Sequence, residues 1–325
     1  MSELHKFIFD GLPVRGAIVR LTGAWAEILN RRAANTATGA YPEPVARLLG
    51  EMAAAGVLMQ ANIQFNGALV LQIYGDGPVK LAVVEVQSDL SLRATATLAG
   101  GVAPDAGLAD LVNTGNGGRC AITLDPKERR PGQQPYQGVV PLHGDQREKL
   151  GRISEVLEHY MLQSEQLDTT LVLAASGEVA AGLLIQRMPV QGEGNLAGRA
   201  NEDDIGSSED YNRIATLARS LTPEELLALD VDTILHRLFW EEKLMRFVPR
   251  QGLSGPHFAC ACSRERVARM IRGLGLEEAE SIIAERGDIE VGCEFCGAQY
   301  RFDAVDAAQI FTEPGKQPPA SAAVQ

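Results

Sequence analysis

Four of the chain's five cysteines lie in its last quarter as two tight pairs, Cys260-Ala-Cys262 and Cys293-Glu-Phe-Cys296. Four thiols grouped in this way point to a metal site, and a set made only of thiolates suits zinc. The same sulfurs are open to oxidants, since a thiolate is the first rung of the oxidation ladder. A bridge between Cys260 and Cys262 would close a very small ring, so it would be strained and readily reduced again. Spacing alone leaves two readings open: a constitutive structural zinc knuckle in a scaffold or binding protein, or a metal centre that works as a switch. Nucleic-acid binding by a zinc ribbon fits poorly, because residues 257–311 hold six Arg and no Lys against ten Asp and Glu. A thioredoxin-like enzyme fits worse, since its C-x-x-C should open a helix after a strand. His257 reads as a surface histidine, not a spare ligand. Cys120, inside Arg-Cys-Ala-Ile-Thr-Leu, reads as a small buried hydrophobe in a strand.

Local signals define the elements that must hold these thiols. Ser263 directly follows Cys262 and can cap a helix over Arg264–Arg272 that stops at Gly273 and Gly275. A second helix fits Leu276–Arg286, ended by Gly287. Ile289–Val291 and Gln299–Phe302 read as two short strands flanking the Cys293–Cys296 knuckle. Gly297 behind the knuckle lets the backbone turn tightly. Asp303 caps a last short helix. A segment of this size carries few large apolar residues and should need its metal to fold; a structural zinc contributes about 10–16 kcal/mol.

The remainder of the chain reads as α+β. Its formal charge of −12 and pI near 5.0 argue against nucleic-acid or anionic-membrane partners. No signal peptide is visible at the N-terminus, and the chain is expected to be cytoplasmic, with thiols reduced at rest. Met52–Gly75 carries no charge, yet Gln60, Asn62, Gln64 and Asn66 alternate with Ala61, Ile63 and Phe65. That period predicts a strand and an Asn66-Gly67 hairpin over 60–74, not a membrane span. A helix is expected over Glu43–Met59, strands over Val79–Val86, Leu92–Leu98, Arg119–Leu124, Tyr136–Leu142, Leu171–Ala175 and Val179–Met188, and a helix over Gln146–Gln163. Short turns between the strands favour antiparallel pairing. The sequence thus divides into an α+β core, mostly antiparallel sheet with packed helices, over 1–190; a flexible acidic linker plus amphipathic helix over 191–256; a zinc-binding domain over 257–312; and a disordered tail over 313–325. Thr222-Pro-Glu-Glu225 starts the amphipathic helix, which is expected to run to about Phe247 and to cover part of the sheet.

The motif residues also resemble the heat shock protein 33 family of redox-regulated bacterial holdase chaperones. The resemblance rests on Cys260-Ala-Cys262-Ser-Arg-Glu-Arg266, Ile282-Ile-Ala-Glu-Arg-Gly-Asp-Ile289 and Cys293-Glu-Phe-Cys296-Gly. It extends to His5-Lys-Phe-Ile-Phe, Gly75-Asp-Gly-Pro78, Tyr136-Gln-Gly-Val-Val140 and Leu184-Ile-Gln-Arg-Met-Pro189. The resemblance implies one zinc per chain on Cys260, Cys262, Cys293 and Cys296 in the reduced, inactive state. It implies that oxidation forms Cys260–Cys262 and Cys293–Cys296 disulfides, releases the metal and unfolds the zinc domain and linker. The exposed apolar surface then holds unfolded client proteins without ATP, and the active chain is a homodimer. No catalytic group with assigned partners is evident, so the chain is not read as an enzyme. Arg250–Pro256 is longer and richer in glycine than the family pattern.

Overall fold

The computed structural model describes residues 1–36, 38–128, 132–188 and 208–312. They cluster into two compact units, Met1–Ala259 and Cys260–Gln325. The acidic stretch over 191–207 and the tail from 313 lie outside the described residues.

Two mostly antiparallel sheets and a helix packed against both make the first unit. Strands β1 (Glu3–Phe9) and β2 (Val14–Leu21) pair near the N-terminus. Strand β2 also pairs with a strand late in the chain, Ala180–Arg187, which in turn pairs with Thr169–Ala175. Leu244–Arg246 and Arg250–Gln251 add to β1 and complete this sheet. The second sheet contains β3 (Gly67–Tyr74), β4 (Val79–Gln87), β5 (Ser91–Leu98), β6 (Arg119–Pro126) and β7 (Tyr136–Pro141), in the order β5-β4-β3-β6-β7. The strands Thr169–Ala175 and Ala180–Arg187 are β8 and β9; Leu244–Arg246, Arg250–Gln251 and His257–Phe258 are β10, β11 and β12. β12 pairs parallel with β5, and Ala259 N–H donates to Leu92 O at 3.1 Å. The glycine-rich Arg250–Pro256 stretch is therefore built into the first unit, with a 3-10 turn at Gly252–Ser254.

Helix α1 (Gly23–Ala34) anchors Trp25, whose indole N–H donates to Ser176 O at 2.8 Å. Helix α2 (Glu43–Asn62) contacts strands of both sheets and buries Leu48, Leu49, Met52, Val57 and Leu58 around its circumference. A helix apolar on all sides is one with core on all sides. The first sheet has a second covered face. Phe7, Phe9, Val14, Ile18, Leu183 and Ile185 point away from α2 and pack under α5 (Glu209–Arg219), α6 (Pro223–Ala228) and α7 (Val231–Phe239). The ring of Phe239 meets Phe9 edge-on with centroids 5.1 Å apart. Gly16 makes room for this layer, since a Cβ there would lie 2.3 Å from the Phe7 ring. Arg20 ties the cover to the sheet: its guanidinium donates to Leu226 O and Leu229 O at 2.7 Å and to Leu227 O at 3.0 Å. Carbonyls at a helix C-terminus lack partners within the helix, and Arg20 supplies them here.

Three expectations change. Residues 60–62 belong to α2, not to a hairpin strand; Gln60 Nε2 turns back to Phe65 O and Gly67 O, and β3 pairs with β4 and β6 instead. The single helix over 222–247 is two. Asp230 breaks it by capping α7, accepting from Thr233 N–H at 2.9 Å, and the helix ends at Phe239 because Leu244–Arg246 joins β1. Helix α3 (Leu108–Val112) is a short turn ahead of β6, and the helix expected from Gln146 starts at Ile153 (α4, Ile153–Glu165), after a turn in which Arg147 has φ +62°. The β6/β7 pair and the strands β4, β5, β8 and β9 lie where the spacing placed them. Sequence patterning gave no reading of β1, β2, α1 or α5.

Candidate metal centre

The second unit is short in apolar material. Among its described residues the buried apolar side chains are Ile271, Ala279, Ile289, Phe302, Ala307 and Ile310. They come from α8 (Arg264–Leu274), α9 (Leu276–Arg286), the hairpin β13 (Ile289–Gly292) and β14 (Gln299–Phe302), and α10 (Ala304–Phe311). Every one of these elements is where local signals placed it, though α8 runs through Gly273 to Leu274. Ser263 Oγ accepts from Arg266 N–H at 3.2 Å, and Asp303 Oδ1 accepts from Val305 and Asp306 N–H at 2.9 and 2.8 Å. Gly287, with φ +87°, ends α9. Arg264 is a second local brace. Its guanidinium lies 4.2 Å from the Phe302 ring centroid, donates to Arg301 O at 2.7 Å and pairs with Asp306 at 2.6 Å.

This frame brings Cys260, Cys262, Cys293 and Cys296 together with all four sulfurs within 4.8 Å of one another. Two of the approaches run between the two motifs: Cys260 to Cys293 at 3.7 Å and Cys262 to Cys296 at 3.1 Å. Four sulfurs sharing one zinc at about 2.3 Å stand about 3.8 Å apart in a tetrahedron, so the spacing suits the ion. The donor set suits it as well, being four soft sulfurs. The four cysteines can therefore hold a metal ion.

Backbone geometry favours thiolate at the second motif. Cys293 N–H donates to Ala298 O at 2.8 Å, and Gly297, with φ +74°, returns its N–H to Cys293 O at 2.8 Å. The tight turn aims the Phe295 and Cys296 amides at the Cys293 sulfur, and the Ala298 amide at Cys296. Such outer hydrogen bonds orient metal-ligating sulfur. At the first motif Arg266 donates to Ala261 O at 2.8 Å, fixing the loop between the two thiols.

Cys262, Cys293 and Cys296 hold their protons unevenly. Burial pushes the Cys262 thiol up, but hydrogen bonds from Tyr300 and from the other three cysteines outweigh it and hold it down at about 7. Burial pushes Cys293 and Cys296 up, and for Cys296 the hydrogen bond to Cys262 adds to the rise. Tyr300 pays the counterpart: its hydrogen bond to Cys262 and then burial raise its phenol to about 12. A thiolate near neutrality is both a good metal ligand and a good target for oxidants.

Tyr300 is the residue that spacing did not single out. Its hydroxyl donates to Cys262 Sγ at 3.2 Å. The signal was present: Tyr300 and Phe302 are two apart on β14, so both turn to the same face. His257 is not one of the clustered groups; it lies on β12 with Nδ1 3.0 Å from Gly255 O. Cys120 is fully buried on β6, and burial pushes its thiol up to about 12, the mark of an inert sulfur.

A family model described as Hsp33 protein matches residues 2–303. The 33 kDa chaperonin of Chromobacterium violaceum is 45% identical over 310 residues, covering 95% of this chain and 94% of that protein. That of Methylobacillus flagellatus is 41% identical over 312 residues, covering 96% and 94%. The crystal structure of the Thermotoga maritima 33 kDa chaperonin, at 20% identity, superposes over 95% of this chain and 97% of that one with a TM-score of 0.71, a likeness of fold. No described helix is long and apolar enough to cross a membrane.

Proposed function

The chain belongs to the Hsp33 family, and from that premise we propose that it is an ATP-independent holdase switched on by oxidation of its four-thiol centre. It is a chaperone by family; the switch is our reading. Cys260, Cys262, Cys293 and Cys296 would hold one zinc, which would supply a structural clamp to a unit with too little core of its own.

Oxidation consumes the ligands. Two thiols, Cys260 and Cys262, give up two electrons to one hydrogen peroxide, forming one S–S bond and two waters; Cys293 and Cys296 do the same with a second peroxide. A disulfide sulfur is a poor metal ligand, because the thiolate is the ligating form. The small unit then unfolds. Chain continuity carries the loss into β12, since Cys260 directly follows the residue that bonds β5. The strands β10 and β11 and the cover α5–α7 lie just upstream. Loosening the cover would bare Phe7, Phe9, Ile18, Leu183 and Ile185, an apolar face suited to unfolded clients.

The observation that carries this reading is the juxtaposition of four clustered thiols with a unit whose described residues bury six apolar side chains. The clients are unfolded proteins, the oxidised chain pairs as a homodimer, and the setting is the cytoplasm with neither nucleic acid nor membrane as partner; the net charge of −12 supports the last two exclusions. No catalysis is assigned. The test pairs metal release under warm peroxide with aggregation of a thermally unfolding client enzyme. Release of one zinc per chain together with suppression of aggregation is expected. Retained zinc and unchanged helical circular dichroism would instead mark an inert knuckle.

A further inference from the structure

Beyond the C-terminal end of α2, between the two sheets of the first unit, lies a cavity of about 340 Å³. Ligand sites begin at about this size, roughly 300–1,000 Å³. Its walls are apolar, with Met59 and Ile63 at the helix end, Leu69 and Ile122 from the second sheet, and Leu171 and Leu184 from the first. Exposed Tyr136 and Glu165 stand in its lining, so it is open to solvent on that side.

The polar residues around it are incompletely used by the fold. Asn62 lines the cavity at 9% exposure; its Nδ2 donates to Leu58 O at 2.8 Å, but its Oδ1 is buried with no partner. Arg15 also lines it and spends both its bonding nitrogens on one neutral acceptor, Gln186 Oε1, with Nε at 3.0 Å. Lys6 reaches Ala61 O at 2.7 Å, one residue from Asn62. Burial, then the charges of Arg15 and Arg250, hold the Lys6 ammonium below its ordinary range. Lys6 and Arg15 thus crowd each other, and neither forms an ion pair with a carboxylate among the described residues. Glu165 is the acidic side chain in the lining. It accepts hydroxyl hydrogen bonds from Tyr160 at 2.8 Å and Tyr136 at 3.2 Å.

We propose that this cavity binds a small anionic amphiphile, a medium-chain carboxylate, with its tail between the sheets and its head on Arg15, beside which the Lys6 ammonium adds positive charge. A guanidinium is matched to a carboxylate in charge and in its paired N–H geometry. The overall charge of −12 repels anions, so the attraction has to be local. An ordered water between the head and Asn62 gives Oδ1 the donor it lacks. The site lies wholly within the first unit, so its occupancy does not depend on the state of the four cysteines.

The experiment titrates the reduced, zinc-loaded full-length chain with octanoate, octanol and octylammonium by isothermal calorimetry. Saturable binding of one octanoate is expected, with octylammonium at least tenfold weaker and octanol between them. Ile63→Trp, which fills the cavity, should abolish binding, and Arg15→Met should weaken it at least tenfold. Octanoate should also raise the thermal midpoint of the wild-type chain and not that of Ile63→Trp. The proposal is overturned by an absence of saturable octanoate binding. It is equally overturned by octylammonium binding as tightly as octanoate, or by Arg15→Met binding octanoate as well as wild type does.

Discussion

The two units of this chain differ sharply in how much apolar core they bury. In Met1–Ala259, Trp25, Phe7, Phe9, Met52 and many aliphatic side chains are fully buried in layers on both faces of a sheet. Among the described residues of the second unit the buried apolar set is six, two of them alanine. A large apolar core is indifferent to redox conditions, whereas a unit that relied on a thiolate-held metal would be only as stable as its sulfurs are reduced. Under the proposed switch, the difference would let one chain keep a stable body while one part of it responds to an oxidant.

The sharpest way to break that contrast is to remove one ligand. Cys293→Ser should lower bound zinc well below one per chain and melt α8–α10. The loss is on the scale of the metal's contribution, about 10–16 kcal/mol. The first unit should keep its cooperative thermal transition, which calorimetry would resolve.

A smaller effect should come from the cover on the first sheet. Phe239→Ala empties a site between Phe7 and Phe9 and should cost about 3–5 kcal/mol. Under the proposed switch this variant should suppress client aggregation without oxidant while still holding zinc. If it lost stability in urea but gained no such activity, the covered face would not be the client surface.

Local and tertiary signals fared differently when read from sequence. The second unit was legible almost residue by residue because its elements are set by local chemistry: caps at Ser263 and Asp303, stops at Gly287 and Gly297. Residues 60–65 were misread for a physical reason. Helix α2 is buried all round, so the usual one-sided apolar stripe was absent, and Gln60 and Asn62 imitated strand alternation. The break at Asp230 was hidden because the apolar stripe continues past it at helical spacing, while the decisive bond is one carboxylate to Thr233 N–H. Strands β1 and β2 are buried on both faces, which removes the period-2 pattern. The four sulfurs were identifiable from spacing; the hydroxyl of Tyr300 on Cys262 depends on how β14 folds back, which spacing does not state.

The first unit should also depend on pH in a way unrelated to metal. Burial holds the Glu51 carboxyl up at about 7, with Arg47 and Arg152 only partly opposing it. Its native value lies above its unfolded one, so the unfolded chain binds fewer protons between about pH 4.5 and 7 and stability falls as pH rises through that window. Glu51→Gln should remove the penalty, raising stability at pH 8 by up to about 3 kcal/mol and changing little at pH 4.5. Urea unfolding at the two pH values would show it. The smallest effect is expected at Cys120. Cys120→Ala should leave zinc content and the peroxide response unchanged, with four rapidly titrating thiols still counted by a thiol reagent in the metal-free chain.

Hydrogen exchange on the reduced full-length chain, with and without a zinc chelator, separates metal from oxidation most directly. Metal dependence of the second unit predicts that chelation alone, with every thiol still reduced, strips protection from α8, α9, β13 and β14 while α2 and β3–β6 keep theirs. Protection that persists throughout Cys260–Thr312 after the zinc is gone would contradict it.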